Sequence, residues 1–161
     1  MIRPRPGSRA GSRVPRVPSE EQLARTGAAM RRIRSSRVNL DWLQGPGPTD
    51  LWIWREIEAD RADLVELTFH GRSVILRGDA LTTGRCEHGT GSPYAQELGL
   101  LEMDPVLDPV TLAAAETLLA ALPAEIRSPT VETLLRAIRT ARALDVRHAP
   151  EPGEGDEGPN I

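Results

Sequence analysis

The chain has 161 residues with a formal net charge of −3 and 39% hydrophobic content, which suits one domain with tails and excludes a chain disordered throughout. All 20 basic residues are arginine. With the abundant Ala, Gly and Pro this is the codon signature of a high-GC bacterial genome, so arginine-rich stretches carry less meaning here than elsewhere. The single cysteine, Cys86, excludes an internal disulfide framework, no apolar run approaches a membrane span, and no apolar stretch follows the N-terminal arginines as in a secretory signal. The expected compartment is the cytoplasm, and no membrane is expected as a partner.

Charge is split along the chain. Residues 1–37 hold ten arginines against Glu20 and Glu21, while the other ten arginines face the remaining 21 of the 23 acids. Such asymmetry suggests a tail that contacts something acidic, or its own domain. Residues 1–18 form a Pro/Gly/Ser/Arg arm that reads as disordered, residues 149–161 are its acidic counterpart, and residues 19–148 read as a single α+β domain.

Ser19 is placed to cap the first helix, with Gln22 completing a capping box, Glu20 and Glu21 at the positive end, and a thin stripe of Leu23, Met30 and Ile33. The pattern predicts a helix over 20–36. Gly45-Pro46-Gly47-Pro48 reads as a chain break. Leu51–Ile57, Leu64–Phe69 and Val74–Arg77 then read as strands of a three-stranded antiparallel meander.

A two-residue Gly71-Arg72 turn and a four-residue Ala59–Ala62 loop sort the side chains. Trp52, Trp54, Val65, Leu67, Phe69, Val74 and Leu76 fall on one face. An Arg55–Glu66–Arg77 charge ladder falls on the other, among Ile53, Thr68 and Ile75. Residues 84–107 form a long connection containing Gly89-Thr90-Gly91-Ser92-Pro93, with a short strand near Leu98–Met103. Asp108-Pro109 and Ser128-Pro129 each open a helix. The resulting helical hairpin is expected to pack on the Trp-bearing sheet face. Trp52 and Trp54 are therefore expected in the core; left bare, they would be partner-binding anchors.

No constellation for catalysis, cofactor or metal binding emerges. Cys86 and His88 flank Glu87, with His70 at a turn and His148 near the acidic tail, but a metal site needs three or four ligands and a thiol nucleophile needs a base. Neither Gly45-Pro46-Gly47 nor Gly89-Thr90-Gly91 has the context of a phosphate cradle. The pairs Asp60/Asp63, Asp104/Asp108 and Glu56/Glu58 read as solvated turns and caps. The α-β-β-β-α order is similar in outline to a double-stranded-RNA-binding domain. The helix after the third strand opens with Asp108-Pro109-Val110-Thr111 where that family carries a basic cluster, so the resemblance is set aside.

Two readings remain. The first is a non-enzymatic protein-interaction module (a regulator, adaptor or assembly subunit) that binds another protein through Arg55, Glu66 and Arg77 on the sheet and Arg136, Arg139 and Arg142 on the last helix. In that reading Glu132 supports Arg136 one turn away. The second is nucleic-acid association through Arg3, Arg5, Arg9, Arg13 and Arg16 of the arm. An enzyme or redox sensor built on Cys86 is the third and thinnest.

Overall fold

A computed structural model describes residues 16–58, 62–86 and 101–148. The class is α+β, but the expected three-stranded meander is replaced by one seven-stranded antiparallel sheet whose spatial order is the chain order. Helix α1 (Glu20–Ala28) precedes the sheet. The strands are β1 (Arg31–Ile33), β2 (Leu40–Gly45), β3 (Thr49–Arg55), β4 (Ala62–Phe69), β5 (Arg72–Arg77), β6 (Ala80–Cys86) and β7 (Leu101–Met103). Helix α2 (Pro109–Ala120), a 3₁₀ turn at Ala124–Ile126 and helix α3 (Pro129–His148) follow.

The capping box at α1 is present: Ser19 Oγ accepts from Gln22 N–H, and Ser19 N–H donates to Gln22 Oε1 at 3.0 Å. The helix ends at Ala28, eight residues short of the expected Ser36. Ala29 N–H turns back to the Arg25 and Thr26 carbonyls and Met30 N–H to Gly27, which tightens the last turn and drops Met30 into the core. Arg31–Ile33 then leave as an edge strand with both arginines in solvent, a composition that discourages pairing with another sheet.

Four further strands flank the expected three: β1, β2 and β6 are absent from the sequence reading, while β7 falls on the short strand expected near Leu98–Met103. Gly45-Pro46-Gly47-Pro48, taken as a break, is a hairpin connection: Gly45 pairs with Thr49, and Gly47 lies at φ 65° so that Thr49 N–H can donate to its carbonyl at 2.9 Å. Gly78-Asp79 likewise closes β5 onto β6, with Arg77 opposite Ala80.

Register explains the larger correction. The β4–β5 turn is His70-Gly71, both at positive φ, which moves the pairing by two residues and leaves the face assignment intact; Leu67 lies opposite Val74. Between β3 and β4 the register shifts at Trp54/Arg55. One extra residue in one strand swaps the faces of everything beyond it. Leu51 and Ile53 consequently share a face with Val65, Leu67, Phe69, Val74 and Leu76, and all seven pack with Leu23 of α1 and the apolar residues of α2 and α3 in one cluster. Trp52 goes to the opposite face, with Trp42 beside it on β2 and Glu66 on β4. It is buried there, while Trp54 is half-buried beneath the Arg37 guanidinium, 5.6 Å from the ring centre.

Asp108 caps α2 through the Val110 and Thr111 amides, with Pro109 in the first turn. Helix α2 lies against α1, α3 and the sheet, so its apolar residues do not keep to one narrow stripe. Ser128 Oγ accepts from Val131 N–H at the start of α3, and Leu134, Leu135 and Ile138 are fully buried.

Candidate interaction surface

The Arg55–Glu66–Arg77 ladder does not form. Arg55 lies opposite Ala62 and Arg77 opposite Leu64, while Glu66 lies between Trp52 and Ile75. Arg55 Nε and Nη2 instead donate to Asp41 Oδ2 at 2.9 and 2.7 Å. Glu66 is 1% exposed and its Oε1 has no hydrogen-bond partner among the described residues. Burial raises its pKa to about 7, so the carboxyl is largely protonated in mildly acidic solution. It cannot serve as a surface charge for a partner. Asp50 is also buried on this face and accepts from Trp42 Nε1 at 2.8 Å; burial pushes its carboxyl upward.

Arg136, Arg139 and Arg142 of α3 are exposed, as a partner-facing stripe requires. Two of them are tied to the protein itself. Arg139 Nε donates to Glu116 Oε1 at 2.9 Å, and Arg142 bonds Glu116 Oε2, pinning α3 to α2. Partial burial pushes the Glu116 carboxyl up, but the hydrogen bonds and charges of the two arginines outweigh it and hold the pKa below the ordinary glutamate value. Glu132 pairs with Arg127.

Of the arm residues, Arg3, Arg5, Arg9 and Arg13 lie outside the described residues. Arg16 is exposed and lines an open hollow of about 970 Å³ together with Arg25 and His70. Arg25 in that hollow is paired with Glu21.

Cys86 ends β6, half-buried, with Sγ 3.7 Å from the Arg72 carbonyl. Burial, then the charge of Glu66, pushes its thiol up, away from the thiolate a nucleophile needs. Glu87 and His88 lie outside the described residues. Among those described, no group of three or more His, Cys, Asp or Glu side chains could hold a metal ion, and no helix is long and apolar enough to cross a membrane.

The surface that sequence reasoning missed lies between β7 and α2. Thr83 Oγ1 donates to Asp104 Oδ2 at 2.7 Å and accepts from Asp108 N–H at 2.9 Å, while Asp104 N–H donates to the Thr83 carbonyl at 2.9 Å. Arg72 Nη1, almost fully buried, donates to Asp108 Oδ2 and to Thr111 Oγ1, each at 2.8 Å. Burial acts to raise the Asp108 pKa, but hydrogen bonds from Thr111 and Val110 and the Arg72 charge prevail and hold it below the ordinary aspartate value.

The connection is thus tied at Asp104 and Asp108, yet its apolar side chains face solvent. Val106 is 78% exposed, with Leu107 also exposed, while Val110 in the first turn of α2 is 51% exposed and lines a separate hollow with Val17 and Leu23. Leu144 of α3, 50% exposed, stands across a groove of about 410 Å³ floored by Leu112 and Ala141 and edged by Arg142 and Asp145. Connections are ordinarily polar, and contiguous exposed apolar surface marks interaction sites. The sequence signal was Pro105-Val106-Leu107 and Pro109-Val110 on either side of Asp108, an apolar run without strand or helix periodicity.

No protein-family model, curated protein or solved structure matches this chain.

Proposed function

We propose that the protein is a non-enzymatic protein-interaction module, a regulator, adaptor or assembly subunit, that engages another protein through the 104–110 loop and the adjoining groove against α3. The observation that carries this reading is the contrast within the loop. The Asp104 and Asp108 side chains are taken up internally by Thr83, Arg72 and Thr111, while Val106 and Leu107 are presented to solvent. A loop already fixed in shape loses little entropy on docking. Burying an aliphatic side chain contributes roughly 1.5–3 kcal/mol, so Val106, which lines the groove, is the anchor. Arg142 on the groove edge keeps the last helix in the partner site, whereas Arg55, Glu66 and Arg77 drop out of it as a group. The compartment that suits this reading is the cytoplasm, where a lone thiol such as Cys86 stays reduced.

The test is affinity capture from the native cell with nuclease present, comparing the full chain with Val106→Asp and with a chain lacking residues 1–18. The reading expects one protein partner retained by the truncated chain and lost by Val106→Asp. Capture unchanged by Val106→Asp would sink it.

The second reading, nucleic-acid association through Arg3, Arg5, Arg9, Arg13 and Arg16, draws on one observation. Arg16 leads into a hollow shared with Arg25 and His70. It expects binding that weakens steeply with salt and disappears when residues 1–18 are deleted.

A further inference from the structure

All three tryptophans of the chain fall on the sheet face turned away from the helices: Trp42 on β2, with Trp52 and Trp54 on β3. Trp52 is buried at the centre of that face. Toward the β1 edge the face opens, and Ile33, Leu40, Trp42 and Trp54 are half-buried. The edge strand and the turn beyond it are basic. From Arg31 to Leu40 the chain holds four arginines and no acid, and all four arginines are exposed. Arg31 shares the tryptophan face through its pairing with Gln44. Arg37 lies over the Trp54 ring, 5.6 Å from its centre.

The acids of this margin are engaged elsewhere. Asp41 binds Arg55, and buried Asp50 accepts from Trp42 Nε1. Glu56 and Glu58 follow β3 at the Arg37 end. The uncompensated charge therefore sits at Arg31, Arg32 and Arg34, which form no ion pair among the described residues. A composition rich in arginine explains which cation is used, but not its placement beside half-open tryptophans. Positive charge alone suits any anion. Rings and a guanidinium plane beside it suit a polyanion whose units carry flat faces. An acidic peptide would satisfy the charge and leave the rings unused, and a duplex keeps its bases stacked within itself.

We propose that the β1–β2 margin binds single-stranded nucleic acid, with Arg31, Arg32 and Arg34 on its phosphates and its bases stacked at Trp42 and at the Arg37–Trp54 pair. The site belongs to the folded domain, so it stands apart from both the N-terminal arm and the 104–110 loop.

The test is a titration of the full chain with short oligouridine and oligothymidine strands, following tryptophan emission and the anisotropy of a dye on the strand. Every tryptophan lies on this face, so quenching reports contact there and not at the arm. The wild type should bind at least one of the two strands, lose tryptophan emission on binding, and weaken steeply with salt. A preference between the strands identifies RNA or DNA as the ligand. Arg31→Glu combined with Arg34→Glu, both at exposed positions, should keep the wild-type circular dichroism. It should lower affinity at least roughly tenfold and cut the salt slope by about two. Val106→Asp should bind as the wild type does.

Failure to bind either strand overturns the proposal. So does binding that leaves tryptophan emission unchanged or ignores the Arg31 and Arg34 substitutions, which would place the contact on the arm. A duplex of the same length bound as tightly removes the single-strand assignment. Polyglutamate that quenches the tryptophans and binds as tightly as the strands makes the margin a surface for an acidic protein instead.

Discussion

Arg72 of β5 and Asp108 at the head of α2 meet at 2.8 Å, the arginine almost wholly buried and the aspartate partly so. The pair joins the sheet to the helical layer at the loop that presents Val106. The aspartate also accepts from the Val110 and Thr111 amides. One carboxylate therefore serves as helix cap, ion-pair partner and anchor of the exposed apolar segment.

Asp108→Ala should destabilise the fold by about 2–4 kcal/mol, combining a lost cap with the loss of the ion pair to the buried Arg72 guanidinium. Urea unfolding at neutral pH measures it, and a loss under about 1 kcal/mol would contradict the role assigned. The folded-state pKa of Asp108 is depressed. Its stabilisation is accordingly present above the unfolded value of about 4 and is lost as pH falls through the lower folded value.

Glu66 works in the opposite sense. Its folded pKa is raised from 4.5 to about 7. The native state therefore holds the proton more tightly than the unfolded chain. That contribution is complete below about pH 4.5 and drains away as pH rises through 7, a loss of about 3 kcal/mol in all. Glu66→Gln should abolish this dependence and exceed the wild type in stability at pH 9. Parallel stability–pH curves for the two proteins would refute it.

Cys86 should be a slow thiol. With burial and the Glu66 charge both pushing its pKa up, its reaction with a disulfide reagent at pH 7.5 should run at least roughly tenfold below that of an unstructured thiol. Glu66→Gln should speed it by removing the neighbouring charge. A rate at or above that of the unstructured thiol would return the redox reading to consideration.

Gly27→Ala should destabilise by about 1–3 kcal/mol or more, against the helix propensity of alanine, which alone would favour the change by about 1 kcal/mol. A Cβ at this position would lie 2.1 Å from the Leu118 carbonyl oxygen of α2, a backbone atom that cannot swing aside. A thermal melt that rises on substitution would show that the two helices can separate without cost.

The sequence revealed those parts of the fold that depend on local rules. Ser19 with Gln22, Asp108 with Pro109, and Ser128 all start helices where the capping pattern places them. The class was legible from the alternation in Leu51–Ile57 and Leu64–Phe69. The sheet's extent was not, because short connections such as Pro46-Gly47-Pro48 resemble breaks until their strands are seen to pair. The faces of β3 were misread because an irregularity at Trp54/Arg55 leaves no mark in composition, yet reverses which residues meet the helices. For the same reason Glu66 looked like a rung of a surface ladder. The loop surface was invisible because its distinction lies in Thr83, Asp104 and Asp108 binding one another across a wide stretch of chain.

The order of the sheet follows the order of synthesis. Seven strands form a meander in which each pairs with its sequence neighbour, so every hairpin can zip soon after it leaves the ribosome. The residues that shield the helix-bearing face of that sheet arrive last: Leu112 to Leu119 and Val131 to Ile138 belong to the final third of the chain. A nascent chain halted before Pro109 carries Leu51, Leu67, Phe69 and Val74 with α1 as the one helix available for cover among the described residues. That interval is when the protein is most exposed to self-association of the wrong kind and to capture by chaperones, and it ends only when α3 has emerged and docked.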